Sequence, residues 1–186
     1  MGRASVQAAL TSALRWTPRL YERARSVARA TRRGLAPVRL LYFAHFCVRD
    51  HGTNNVVELA PDVRAHGVRI HLSGDDNRVS VGTGASLAST TIRLQGSGNT
   101  VEIGSQCQLA QVGIVCEDDL NRVLIGERTR IAGSTELAAI EGTEIAIGRD
   151  CLFSGRIHFR TGDSHSVMDL QGSRINPSAS ISLGEL

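Results

Sequence analysis

Residues 96–104 read G-S-G-N-T-V-E-I-G. Val101 and Ile103 are apolar and Glu102 between them is polar, the period-two alternation of a short strand with one buried face. Gly96, Gly98 and Asn99 before it and Gly104 after it are residues that turn a chain, Gly and Asn where φ > 0 is needed. The pattern returns every 22 residues. Asn55, Asn77, Asn99 and Asn121 share a column that Thr143 completes. Two positions on stand Val57, Val79, Val101, Val123 and Ile145, and two further stand Leu59, Val81, Ile103, Ile125 and Ile147. Ala60, Gly82, Gly104, Gly126 and Gly148 follow, then Val63, Ala85, Cys107, Thr129 and Cys151, then Ala65, Leu87, Leu109, Ile131 and Phe153.

A second apolar pair lies upstream of each Asn: Ile70/Leu72, Ile92/Leu94 and Ile114/Cys116. Each repeat therefore holds several short strands separated by corners. Alone it cannot bury its apolar edge, whereas stacked copies can. The reading is all-β: a parallel β-helix solenoid with like residues stacked into ladders. Cys107 and Cys151 share a column with Ala85 and Thr129, which reads as packing rather than as nucleophiles. Leu137 and Ala139 fall one position late, and Ile157 and Phe159 one early. Gly148 and the next equivalent glycine, Gly184, are 36 apart. That spacing reads as two coils of 18, with the 22-residue period carrying a corner insertion such as S-G-D-D.

Residues 1–49 lack the beat. Val6, Leu10 and Leu14 have helical spacing, and Thr17-Pro18 reads as an N-cap followed by Pro at the first helical position. This stretch has ten Arg against one acid, Glu22, while residues 50–186 have eleven Arg against seventeen acids. A basic helical arm over 1–49 is expected to precede a mildly acidic solenoid over 50–186, either as a cap on its end or as an attachment to anionic lipid headgroups. The charge comes without the aromatic interleaving of a nucleic-acid binder, so no nucleic-acid partner is expected. Aromatics are 4% of the chain, which suits thin aliphatic layers. No stretch reaches transmembrane length. Four Cys without metal spacing point to a reduced, cytoplasmic protein, which the basic arm, where it attaches to lipid, would hold at the inner face of the membrane.

The beat fails at residues 160–165, R-T-G-D-S-H. Together with G-S-G-N-T-V-E-I-G, I-E-G-T-E-I-A-I-G and R-I-N-P-S-A-S-I-S-L-G, the block F-R-T-G-D-S-H-S-V-M-D resembles the hexapeptide-repeat acyltransferases. Within them it resembles the bacterial capsule and lipopolysaccharide O-acetyltransferases. The resemblance runs from about residue 53 to the end and is strongest over 140–184. It implies a left-handed coil, a hand opposite to the usual crossover preference. It also implies a homotrimer, acetyl-CoA as donor and a hydroxyl of a cell-surface polysaccharide, or of its sugar precursor, as acceptor. Relatives continue at once through a His-Val-Trp-Ile-Gly-like segment and further coils, so the chain is expected to be incomplete at its C-terminus.

Acetyl transfer from a thioester to an alcohol needs a proton acceptor, stabilisation of the thioester oxygen and alignment of both substrates. His165 corresponds to the family's catalytic histidine and is the candidate general base; an unperturbed imidazole, with a pKa of about 6.5, is available neutral near neutral pH. Asp163 or Asp169 is the candidate to hold the other ring N–H. Arg160 is placed to bind a phosphate or an acidic sugar, because its fork matches such anions, and Asn176 to contact either substrate. His45, His51, His66, His71 and His158 raise a zinc reading through the carbonic anhydrases that share this solenoid. The pairs His66/His71 and His158/His165 have no supporting context, so no metal is expected. The competing functional reading is a non-catalytic scaffold for surface-glycan enzymes.

Overall fold

The structure, a computed structural model, describes residues 39–43 and 46–185. They form a parallel β-solenoid with three short strands and three corners per coil. The first face stacks β3 (Val56–Leu59), β6 (Arg78–Val81), β9 (Thr100–Ile103), β11 (Arg122–Ile125), β13 (Glu144–Ile147) and β16 (Ile181–Leu183). The second stacks β4 (Arg64–His66), β7 (Ser86–Ala88), the first halves of β10 (Gln108–Glu117) and β12 (Arg130–Ile140), and β14 (Leu152–Ser154). The third stacks β2 (Phe46–Asp50), β5 (Val68–Ser73), β8 (Thr91–Gln95), the second halves of β10 and β12, and β15 (His158–Arg160). β1 (Arg39–Phe43) lies antiparallel to β2. The sheet thus begins ahead of residue 50. The expected helices of the arm, with Trp16, and also His45, lie outside the described residues.

The columns read from the sequence are the rungs of the prism. Val79, Val101, Val123 and Ile145 are fully buried, as are Ile70, Ile92, Ile114 and Leu137. At about 1.5–3 kcal/mol for each large aliphatic side chain removed from water, this stack is the main favourable term in the fold. Phe153 and Phe159 close the core at the last coil in an edge-to-face contact, centroids 5.5 Å apart. Cys107 is buried, its Sγ 3.1 Å from the Gly126 carbonyl oxygen. Burial raises its thiol pKa and pushes that of Cys116 up to about 12, so neither is a ready nucleophile.

A buried asparagine ladder pins one corner. Each Asn Oδ1 accepts the backbone N–H of the equivalent residue one coil on: Asn55 from Asn77 at 2.8 Å, Asn77 from Asn99 at 2.9 Å, Asn99 from Asn121 at 2.9 Å and Asn121 from Thr143 at 3.1 Å. The Nδ2 groups donate to corner carbonyls, such as Asn77 to Gly96 and Asn99 to Asp118 at 2.9 Å each. Left-handed residues recur at each corner, but they are not confined to Gly and Asn: Gln106, Gln111, Leu120 and Arg128 also take φ between 58° and 60°. The Gly82–Gly148 column serves close approach instead. A Cβ on Gly126 would sit 2.5 Å from Arg149 N in the coil above.

Two expectations about register are corrected. Leu137 is late because β12 carries one extra residue at Gly133–Ser134, a bulge opposite Gln111. Phe159 is not early: it pairs with Leu137 and so inherits the same offset. The 36-residue gap is not two coils of 18. Ile181 pairs directly with Ile145 and Leu183 with Ile147, and the Gly148 N–H donates to the Leu183 carbonyl at 2.7 Å. No rung fits between them, so the excess length leaves the prism as a loop.

Candidate active site

That loop, residues 162–178, departs after Thr161 and returns at Ala179, whose N–H donates to the Thr161 carbonyl at 2.8 Å. Thr161 is buried at its foot. Its Oγ1 accepts the Ile140 N–H at 3.0 Å and meets the Thr143 Oγ1 at 2.7 Å, where the asparagine ladder ends. Gly162 packs so closely that a Cβ would lie 2.1 Å from the Ser178 Oγ.

Within the loop, Asp163, His165 and Asn176 are brought together. Asp163 Oδ1 accepts the His165 backbone N–H at 3.1 Å, and both Asp163 oxygens accept from Asn176 Nδ2 at 2.9 and 3.0 Å. Asn176 Nδ2 also donates to the His165 carbonyl at 2.6 Å, and its Oδ1 accepts the Val167 N–H at 2.6 Å. The His165 N–H, first, and then Asn176 hold the Asp163 carboxyl below the ordinary aspartate range. The imidazole is exposed and has no hydrogen-bond partner among the described residues. The backbone of His165 is therefore fixed while its ring remains open to a substrate.

The other expected site residues make contacts of their own at the same loop. Asp169 caps the turn of a small hairpin, its Oδ1 accepting the Gln171 and Ser173 N–H groups at 2.9 and 2.7 Å, so it serves the backbone. Arg160, the last residue of β15, donates to the Gly162 carbonyl at 2.8 Å and to the Ser164 Oγ at 2.5 Å, and lies 3.4 Å from Glu117. Ser164, in the left-handed region at φ 61°, donates to the same Glu117 carboxylate at 3.2 Å.

Glu117, Glu141 and Arg174 escape a reading of the sequence. Arg174 Nη1 grips both Glu141 oxygens at 2.8 and 2.9 Å, and the Ser178 Oγ donates to Glu141 at 2.8 Å. The only signal was that Arg174 opens the R-I-N-P block; its partner lies 33 residues earlier in a corner that looks ordinary. Arg174 first, then Ser178, holds the Glu141 carboxyl below its ordinary range. A depressed folded pKa means that the clamp is at full strength above the unfolded glutamate value, about 4.3, and is lost as pH falls through the lower folded value. At neutral pH, Arg174→Met is expected to lower the amide-exchange protection of Val167 and Ile175 and to leave that of the rung amides unchanged. Unaltered exchange at both positions would show that the clamp does not hold the loop.

Among the described residues no group of three or more His, Cys, Asp or Glu side chains could hold a metal ion. Nor is any helix there long and apolar enough to cross a membrane. An open groove of about 830 Å³ runs along the first face between Glu58 and Arg149, and none of its lining residues belongs to the loop.

Stacked rungs with one coil opened into a polar loop define the class of molecule: a parallel β-solenoid with a hydrogen-bonded loop at one corner. Among solved structures it is similar to the crystal structure of the polySia specific acetyltransferase NeuO, with a TM-score of 0.65 and 24% sequence identity. The match covers 74% of this chain and 65% of that one, and it shows the fold. No protein-family model matches the chain, and no curated protein matches it.

Proposed function

We propose that the chain is an acyltransferase that moves an acetyl group from acetyl-CoA to a hydroxyl of a cell-surface polysaccharide or its sugar precursor, with His165 as general base. The observation that carries this reading is the loop itself. An otherwise repetitive scaffold spends its one long excursion on holding the His165 backbone through Asp163 and Asn176 while leaving the ring exposed. The likeness to an acetyltransferase of the same fold supports the reaction class. In the proposed step the imidazole takes the acceptor's proton as the hydroxyl oxygen attacks the thioester carbon; collapse of the tetrahedral intermediate expels the CoA thiolate, which the imidazolium protonates. Asp163 and Asn176 act as positioning residues for this base, Arg160 steadies the loop foot through Ser164, and Asp169 shapes the hairpin. The donor is a substrate, and no metal is needed for this chemistry. The test is release of free CoA from acetyl-CoA in the presence of a panel of polysaccharide acceptors. No release with any acceptor would favour the scaffold reading.

The hairpin tip supports assembly into a homotrimer. Leu170 is 100% exposed, beside Met168, Val167 and Ile175, all more than 45% exposed. Apolar side chains clustered on one tip call for a cover, and a neighbouring subunit would supply both that cover and the groups that the His165 ring lacks locally. Sedimentation is expected to show trimers that Leu170→Glu converts to monomers; a parent chain that sediments as a monomer would refute this. The four free thiols fit a reducing, cytoplasmic setting. Attachment to anionic lipid through the Arg-rich arm would place the protein at the inner membrane face.

A further inference from the structure

Two neighbouring columns face outward on the third face. One runs Cys47, Arg69, Thr91, Gly113, Glu136, His158, and the other Arg49, His71, Arg93, Val115, Ala138, Arg160. In the first three rungs, β2, β5 and β8, the outward positions hold Arg49, Arg69, His71 and Arg93 and no acid. Neither Arg49, Arg69 nor Arg93 has an acid partner among the described residues, whereas Arg78 and Arg122 on the first face each pair with a carboxylate. Rungs stand about 4.8 Å apart, so these cations crowd a strip only about 10 Å long. Partial burial, first, and the repulsion of Arg49, Arg69 and Arg93 hold the His71 imidazole below its ordinary range. Such a strip concentrates positive potential and attracts a polyanion.

The strip also leads somewhere. Beyond Arg93 the same column continues to Val115 and Ala138, both buried, with the partly exposed Glu136 in the neighbouring column. The Arg93 column ends at Arg160, whose guanidinium holds Ser164, the residue next to His165. From Arg93 to Arg160 is three rungs, about 15 Å.

We infer that this face is a track for a linear acidic polysaccharide, whose carboxylates sit on Arg49, Arg69 and Arg93 and whose hydroxyls are presented to the loop that carries His165. The inference rests on the acyltransferase reading for its second half and stands without it for the first. The chain's own arm is the wrong occupant: residues 1–38 hold eight Arg and one acid, the same sign as the strip. A membrane fits poorly, because the outward positions of these rungs offer no large apolar side chain to enter a lipid boundary. A single-stranded nucleic acid would want aromatic platforms, and these strands present none outward.

The test compares the full chain with Arg49→Ser/Arg69→Ser/Arg93→Ser, and with the single variant Arg93→Glu as a check should the triple variant fold poorly. The probes are alginate oligomers, neutral dextran of equal length and phosphatidylserine-containing vesicles. Alginate binding is expected to weaken about tenfold or more in the triple variant, from the loss of three exposed ion contacts. It should weaken in the same direction in Arg93→Glu, with dextran unaffected. Unchanged alginate affinity in both Arg variants, or loss of vesicle binding alone, overturns the track. A chain that binds alginate through these arginines but releases CoA with no acceptor keeps the track and refutes the acyltransferase reading. Acetylation of alginate that the Arg variants leave intact refutes the track alone.

Discussion

Under the proposed mechanism, acetyl transfer is expected to fall by about 10²–10⁴-fold in His165→Ala, with an unchanged circular dichroism spectrum and melting temperature. The expected size is that of removing a general base, which leaves alignment of donor and acceptor in place. The expected silence in stability follows from how the loop is tied. Every bond that the surroundings make to His165 runs through its backbone, the N–H to Asp163 and the carbonyl from Asn176, and alanine keeps both. Asn176→Ala is the informative contrast. It removes the contacts to Asp163, to the His165 carbonyl and to the Val167 N–H together, so it should loosen the loop and lower activity while the ring is still present. Full activity in His165→Ala, measured as free CoA released per enzyme, would remove the proton acceptor from the proposal and with it the mechanism.

The second large effect lies in the scaffold. Asn99→Ala is expected to destabilise the chain by about 3 kcal/mol in urea unfolding. Asn99 is fully buried. Its loss strands the buried Asn121 N–H, which has Asn99 Oδ1 as its acceptor at 2.9 Å. An unsatisfied buried donor costs about 1–3 kcal/mol, and the vacated side-chain volume adds to it. The neighbouring corner carbonyl at Asp118 is not orphaned, since Asn121 Nδ2 also reaches it at 3.2 Å. Asn55→Ala, at the half-buried end of the same ladder, should cost less, because water can reach the groups it frees. Asn99→Asp should be at least as harmful as alanine: it keeps the acceptor but puts a carboxylate in a buried column. Equal stability of Asn55→Ala and Asn99→Ala would show that the ladder contributes side-chain volume alone.

Much of this molecule was legible in one dimension because stacking makes it nearly one-dimensional. When each coil rests on its predecessor, a residue's environment is set by the residue one period earlier, and a column in the sequence becomes a ladder in space. The columns of Asn99, Val101 and Ile103, the small-residue column of Cys107 and the break at R-T-G-D-S-H were all readable for that reason. The readable part of the site was local too: Asp163, His165 and Asn176 belong to one loop.

The rest needed coordinates. Counting residues could not tell one coil with a loop from two shorter coils, because only the hydrogen bonds between Ile147, Gly148 and Leu183 show which strands touch. Column spacing could not reveal that Phe159 inherits the offset of Leu137, since the bulge displaces only the rest of β12 and the following corner restores the column at Thr143 and Ile145. Glu117 and Glu141 look like ordinary corner acids; they matter because the loop folds back onto coils already laid down, meeting them at Arg160, Ser164 and Arg174. On the third face, Arg49, His71 and Arg93 do follow the 22-residue period, but that this column faces outward beside Arg69 shows only once the rungs stack. By itself the sequence determined the period, the buried columns and the place where the repeat breaks, because those depend on each residue's relation to its own repeat. Which coil the break belongs to, what holds it and which charges it faces were decided by tertiary structure, because those depend on contacts between segments whose separation follows no period.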